Sequence, residues 1–258
     1  MWPGFSVFCG KKDMFFHRLQ KEIIDIMVGM KIHGLQKMTL LDYPGQVACT
    51  VFLGGCDFRC PFCHNAELLS VDAPAEMDDA EFLSFLDKRK GLLDGVAVTG
   101  GEPLIRPEII SFLQAIRERG FLIKLDTNGN HPDRLMGIVN AGLVDYVAMD
   151  IKNSPEKYGE TIGIPSFDLS KVRRSVDFLL EGKVDYEFRT TVVKPFHDES
   201  SFQRIGEWIA GANKYFLQQY VERDTVLGEN LEAFSSEEMD HFLKIVAPHV
   251  KESALRGV

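Results

Sequence analysis

The chain has 258 residues, 45% of them hydrophobic and 26% charged, with a formal net charge of −9. That is enough apolar material for one large core, and the acidic balance argues against a nucleic-acid partner, which would need clustered Lys and Arg. No apolar run approaches the roughly 20 residues that cross a bilayer, so no membrane partner is expected, and five cysteines, three of them between Cys56 and Cys63, suit a metal site in a reducing, cytoplasmic setting better than a disulfide scaffold.

Residues 1–29 carry neither a basic n-region nor a small-residue cleavage site, and Met30 offers a fresh start. They read as an N-terminal extension, disordered or a start-site artefact, within which Met14–Val28 could form an amphipathic helix and Cys9 shares the same standing. Residues 30–258 read as a single domain. Asp42-Tyr43-Pro44-Gly45 places Pro-Gly for a type II turn, so Ile32–Leu41 is expected to pair as a short antiparallel arm. Strands are then expected at Val47–Leu53, Val96–Thr99, Leu122–Asp126, Tyr146–Asp150, Tyr186–Val193 and Tyr215–Tyr220, each rich in β-branched, aromatic or other apolar residues. Helical stretches alternate with them near Asp79–Lys90, Pro107–Arg119, Pro132–Asn140, Ser170–Glu181, Ser200–Ile209 and Ser236–Ala247. Gly91, Gly120, Gly142 and Gly182 close the first four, and Asp78 with Glu81 and Ser235 with Glu238 have capping-box spacing. The alternation predicts an α/β fold of six parallel strands, either an open doubly wound sheet or a curved, incomplete barrel.

Directly after the first strand and Gly54-Gly55 comes Cys56-Asp57-Phe58-Arg59-Cys60-Pro61-Phe62-Cys63. Three thiolates there can hold an iron–sulfur cubane, and because the cubane has four irons, one iron stays open to a further ligand. Structural zinc with His64 as fourth ligand, or reduced loop thiols, are the alternatives, although His64 adjoins Cys63 and is awkwardly spaced for chelation. The second strand ends in Thr99-Gly100-Gly101-Glu102-Pro103, where two glycines permit close backbone approach to a ligand and Glu102 could accept from an ammonium group. The third and fourth strands end in Asp126-Thr127-Asn128-Gly129 and Met149-Asp150-Ile151-Lys152. Each alone is an ordinary turn or solvated pair, but all share the carboxyl ends of successive strands, where parallel barrels assemble sites. Cys49, inside the first strand, reads as core packing.

The CxxxCxxC spacing, in register with Gly100-Gly101-Glu102, resembles the radical S-adenosylmethionine superfamily from about Lys31 to Tyr220. The resemblance implies an incomplete (β/α)6 TIM-like barrel with an N-terminal arm, one [4Fe-4S] cluster on Cys56, Cys60 and Cys63, and S-adenosylmethionine on the open iron. It further implies Phe62 near the adenine, Gly100, Gly101 and Glu102 at the methionine amino group, Asp150 at the ribose and Lys152 at the methionine carboxylate, with Asp126 and Thr127 beside them and His64 and Ile151 also among the cofactor-binding residues. Arg189 would face that carboxylate or form a structural ion pair; Gln219 would stand where related activases often have histidine, or be a polar barrel residue. Cys63-His64-Asn65, Asp42-Tyr43-Pro44-Gly45 and Met149-Asp150-Ile151-Lys152 resemble activating proteins of anaerobic ribonucleoside-triphosphate reductase, relatives of pyruvate formate-lyase activases. That resemblance implies a glycyl radical enzyme as protein substrate, with Asp42 near its entering glycine loop, and flavodoxin or ferredoxin as electron donor. A pyruvate formate-lyase-type activase, a small-molecule enzyme resembling 7-carboxy-7-deazaguanine synthase, and a non-catalytic iron–sulfur or zinc module are the alternatives. Cysteine is absent after Cys63, so a single cluster is expected.

Overall fold

The computed structural model describes residues 29–222 and 225–257; the N-terminal extension, its candidate helix and Cys9 lie outside the described residues. The elements in chain order are β1 (Lys31–Thr39), β2 (Ala48–Leu53), β3 (Met77–Asp78), α1 (Asp79–Asp87), β4 (Gly95–Gly100), α2 (Ile109–Arg117), β5 (Leu122–Thr127), α3 (Pro132–Asn140), β6 (Tyr146–Asp150), α4 (Tyr158–Thr161), α5 (Ser170–Leu180), β7 (Asp185–Val192), α6 (Glu199–Trp208), β8 (Lys214–Gln219), α7 (Ser236–Val246) and β9 (Glu252–Arg256). They build one sheet in the order β3-β1-β2-β4-β5-β6-β7-β8-β9. From β2 through β9 every neighbouring pair is parallel, while β1 is antiparallel to both β2 and β3. The partial barrel and its arm are as the sequence implies, with one correction: the parallel strands are seven. Glu252–Arg256 escapes a propensity reading because Glu, Ser and Arg dilute its β-formers, and it is recruited instead by register with Lys214–Gln218.

Strand alternation sorts side chains onto two faces. Val51, Leu53, Val96, Val98, Ile123, Leu125, Val147, Met149, Phe188 and Leu217 are buried in a core shared with α2, α3, α5 and α6. The opposite face lines the barrel interior and is polar, carrying Thr50, Lys124, Asp126, Asp150, Glu187 and Arg189. The helix ends obey the sequence signals: Asp78 and Ser235 close capping boxes, and Gly91, Gly120, Gly142 and Gly182 take φ of 78°, 86°, 65° and 71°.

The Tyr43–Gln46 turn closes as expected, with the Gln46 N–H donating to the Tyr43 carbonyl at 3.1 Å and Gly45 at φ 75°. The turn tucks Tyr43, only 4% exposed, against Tyr146, Ala48 and Leu122, which stoppers the barrel below the amino ends of its strands. Beside that stopper, Glu187 is held bidentately by Arg256 of β9 at 2.7 and 2.8 Å and accepts the Tyr146 hydroxyl at 2.8 Å. Its carboxyl stays below the usual range even though burial opposes this, because Arg256 pairs with it and Tyr146 donates to it. Removing one member of such a buried pair strands the other. We therefore expect Glu187→Ala to destabilise the chain by about 3 kcal/mol, read as a lowered urea midpoint, and Glu187→Gln to cost less because it can still accept from Tyr146.

Candidate active site

The cysteine loop leaves β2 through Gly54 and Gly55. The Gly54 N–H donates to Nδ1 of the buried His33 at 2.8 Å, which requires a neutral imidazole, and burial lowers that histidine's pKa accordingly. The loop is then anchored by backbone bonds from Gly55 to Leu68 (2.7 Å), Cys56 to Leu69 (3.2 Å) and Arg59 to Ile162 (2.9 Å), and by Phe58, buried against Tyr158 and Phe167. Cys56, Cys60 and Cys63 all come to the wall of one cavity of about 580 Å³.

Burial pushes the Cys56 thiol up to about 12 and the Cys60 thiol up to about 11, and raises Cys63. Without a metal these are protonated, inert thiols; a cation would hold them as thiolates. Among the described residues no three His, Cys, Asp or Glu side chains gather tightly enough for a single metal ion. A cubane would meet each thiolate through a different iron.

Gly100 and Gly101 form the adjoining wall. Gly100 sits at φ 126°, and a Cβ on Gly101 would fall 2.1 Å from the Gly55 carbonyl oxygen, so both positions admit glycine alone. Glu102 departs from expectation. It is fully buried away from the cavity and accepts from the Leu104 N–H (3.0 Å), the Thr127 hydroxyl (2.9 Å) and the Asn128 N–H (2.6 Å). Burial outweighs those donors and raises its pKa to about 7. Glu102 thus ties the β4 turn to the β5 turn rather than offering itself to a ligand.

The far wall is a chain of charges. Arg189 Nε donates to Asp150 at 2.5 Å and its Nη2 to Asp126 at 3.1 Å; Lys152 Nζ donates to Asp150 at 2.8 Å; the buried Lys124 reaches Asp126 from below. Burial opposes ionisation of Asp126, Asp150, Lys152 and Arg189. The mutual pairing prevails, lowering both carboxyls and raising Lys152 and Arg189. Asp126, Thr127, Asp150, Lys152 and Arg189 all line the cavity, as do Phe62, His64 and Asp42. Phe62 packs on Phe196 at 5.8 Å between ring centroids, His64 stacks on Tyr220 and meets the Val221 carbonyl at 2.9 Å, and Asp42 accepts the Thr50 hydroxyl at 2.5 Å.

Two further expectations are corrected. Ile151 is fully buried on the helix-facing side and meets its neighbours through its backbone, donating to the Arg189 carbonyl at 2.8 Å. Gln219 points the same way, its amide donating to the Phe234 carbonyl at 2.6 Å, while Gln218 lines the cavity in register with Thr191. In a strand, neighbouring residues face opposite ways, and a run of Gln218-Gln219-Tyr220 gives the sequence no means of choosing between them.

Sequence reasoning also missed Asn128, although it belongs to the Asp126-Thr127-Asn128-Gly129 run. Its amide lines the cavity and donates to Asp57 at 2.8 Å; Asn130 (2.6 Å) and His131 (3.0 Å) meet the same carboxylate. Burial would raise Asp57, but these three hydrogen bonds hold it down at about 2. Asp57 lies between two cysteines, so the clasp fixes the cysteine loop to the β5–α3 connection.

A partial parallel barrel with three thiols and a charged wall around one cavity defines a class of cofactor-dependent α/β enzymes. The model of the Radical SAM superfamily matches residues 50–209, and the chain belongs to that superfamily. A protein of Methanocaldococcus jannaschii assigned provisionally to the glycyl-radical enzyme activating enzymes is 29% identical over 197 residues, covering 75% of this chain and 81% of its own. A pyruvate formate-lyase-activating enzyme of Clostridium pasteurianum is 34% identical over 132 residues, so the chain's match spans about half of that relative (54%) and 49% of its own length. Streptococcus suis SuiB, solved with its precursor peptide SuiA, shares the fold at a TM-score of 0.64 and 13% identity, over 81% of this chain and 48% of that one.

Members of the superfamily use a [4Fe-4S] cluster and S-adenosylmethionine, and the donor set fits both: three thiols on one wall, and on the other a charge chain in which three cations face two carboxylates. Because Gly101 touches the cysteine loop's backbone, we expect Gly101→Ala to keep its secondary structure by circular dichroism yet retain several-fold less iron and sulfide after anaerobic reconstitution.

Proposed function

We propose that this chain is a glycyl-radical-enzyme activating enzyme, and that the enzyme it activates is an anaerobic ribonucleoside-triphosphate reductase. The observation that carries the reading is the gathering of Cys56, Cys60 and Cys63 and of the Asp126–Arg189–Asp150–Lys152 charge chain around one cavity that Asp42 also lines. The cluster and S-adenosylmethionine supply, when bound, a 5′-deoxyadenosyl radical able to take a hydrogen atom from a glycine Cα. Cys56, Cys60 and Cys63 would hold three irons. The backbone of Gly100 and Gly101 would receive the methionine amino group, Lys152 its carboxylate and Asp150 the ribose hydroxyls, with Phe62 and His64 against the adenine.

Arg189 acts differently from a direct ligand. By bonding both Asp126 and Asp150 it holds their carboxylates in place before any ligand arrives, which would preorganise that part of the site. Asp42 stands on the same cavity, where an entering loop can be met. Similarity to the Methanocaldococcus jannaschii and Clostridium pasteurianum proteins supports an activase. The Asp42-Tyr43-Pro44-Gly45 and Cys63-His64-Asn65 motifs favour the reductase as its substrate. A flavodoxin or ferredoxin completes the reading as donor.

The deciding measurement is anaerobic reconstitution with reductant, S-adenosylmethionine and either candidate partner, followed by EPR. A glycyl doublet on the reductase and none on the lyase is expected; the reverse pattern replaces the reductase with the lyase. Cys60→Ala is expected to abolish the doublet while the chain stays folded, and a variant that still generates it would refute the ligand assignment.

A further inference from the structure

The reaction needs one electron for each S-adenosylmethionine cleaved, and the structure points to where it enters. We infer that the surface behind Gly55–Asp57, formed by Arg134 and Lys171 at a second cavity, is the docking face for an acidic one-electron carrier protein. The inference rests on the radical-enzyme reading above and adds a location to it.

The Gly55–Asp57 segment lines one cavity through Cys56 and is joined to a second through the side chains of Ile105 and His131. Cys56 faces the large one. On the other side, a Cβ built on Gly55 would fall 2.6 Å from both Ile105 Cδ1 and Val71 Cγ1, and His131 meets Asp57 at 3.0 Å. Ile105, Asn130, His131, Arg134 and Lys171 line a cavity there of about 310 Å³. It therefore lies one side chain, Ile105 or His131, away from the cysteine loop, outside the cavity that S-adenosylmethionine and a substrate loop would fill. Between Cys56 and Cys63 the exposed residue is Arg59, whose guanidinium donates to the carbonyls of Cys56 and Phe58, both at 2.7 Å. Its backbone packs on Gly163, at the start of the stretch that leads to Lys171.

Arg134 and Lys171 bring positive charge to this cavity on a chain of net charge −9. Asp133 on the cavity rim is occupied by Arg174 at 2.7 Å, and Asp57 is saturated by its three donors. Asp168, whose charge Lys171 feels, is itself bonded by Ser170. Among the described residues Arg59, Arg134 and Lys171 have no carboxylate within the 4.0 Å of an ion pair. An acidic carrier is repelled by most of an acidic protein and attracted where cations gather, which orients encounter without demanding a large interface. Such small, transient interfaces suit electron-transfer partners. The step itself transfers one electron from the carrier's reduced centre to the oxidised cluster, with no bond made and no proton moved.

The test is anaerobic stopped-flow reduction of the reconstituted protein, following the cluster's visible absorbance, with reduced flavodoxin in one arm and photoreduced deazaflavin in the other. Lys171→Glu is expected to lower the flavodoxin rate constant about fivefold at low salt, to flatten its salt dependence, and to leave the deazaflavin rate unchanged. Lys244→Glu, the same reversal at an exposed position on α7, should change neither. A wild-type flavodoxin rate in Lys171→Glu, equal losses in both arms, or an equal loss in Lys244→Glu each overturns the docking face. A wild-type cluster that accepts an electron from neither reductant would instead overturn the radical-enzyme reading, and this inference with it.

Discussion

The barrel depends on a guanidinium shared between two carboxylates. Arg189 reaches across from β7 to Asp126 on β5 and Asp150 on β6, so three adjacent strands end on one set of hydrogen bonds. Ion pairs withdrawn from water recover their desolvation cost only when geometry is good and each charge is multiply bonded. Here Asp150 pairs with Arg189 and Lys152 and Asp126 with Arg189 and Lys124, and neither is left with one oxygen idle. The arrangement suits binding more than stability. An apolar interior would pack as well, but it would give a polar ligand nothing to exchange its hydration for.

Much of this was readable in the chain because the functional residues share punctuation with the fold. Cys56, Gly100, Asp126 and Asp150 all come at or just after the ends of apolar runs short enough to be strands, and the capping signals that end the intervening helices fix the order of those runs. The antiparallel arm was legible from Pro44-Gly45 alone. That alternation leaves few choices besides a parallel sheet. The motifs then fall on one rim by topology, whatever their individual specificity.

The part that was not legible depends on facing rather than position. Gln218 and Gln219 are chemically identical and differ by one residue of pleat, and only pairing with Thr191 decides which enters the cavity. Glu102 stands at the motif position the sequence identified, yet its oxygens are consumed by the neighbouring turn, a contact set by the packing of Gly101 on Gly55. The seventh parallel strand is invisible for a related reason. Arg256 lowers its β-character locally and is held in place through Glu187, 69 residues earlier in the chain.

The turn at Tyr43–Gln46 joins two duties in consecutive residues. Tyr43 forms the floor of the barrel, while Asp42, one peptide bond away, stands in its wall and is steadied by Thr50. Pro44 and the left-handed Gly45 hold that turn in a single conformation. Floor and wall therefore move as one body. A change in the shape of this turn would loosen the barrel closure in the same stroke, so this corner of the cavity is tethered to the floor even though it lies on a surface hairpin.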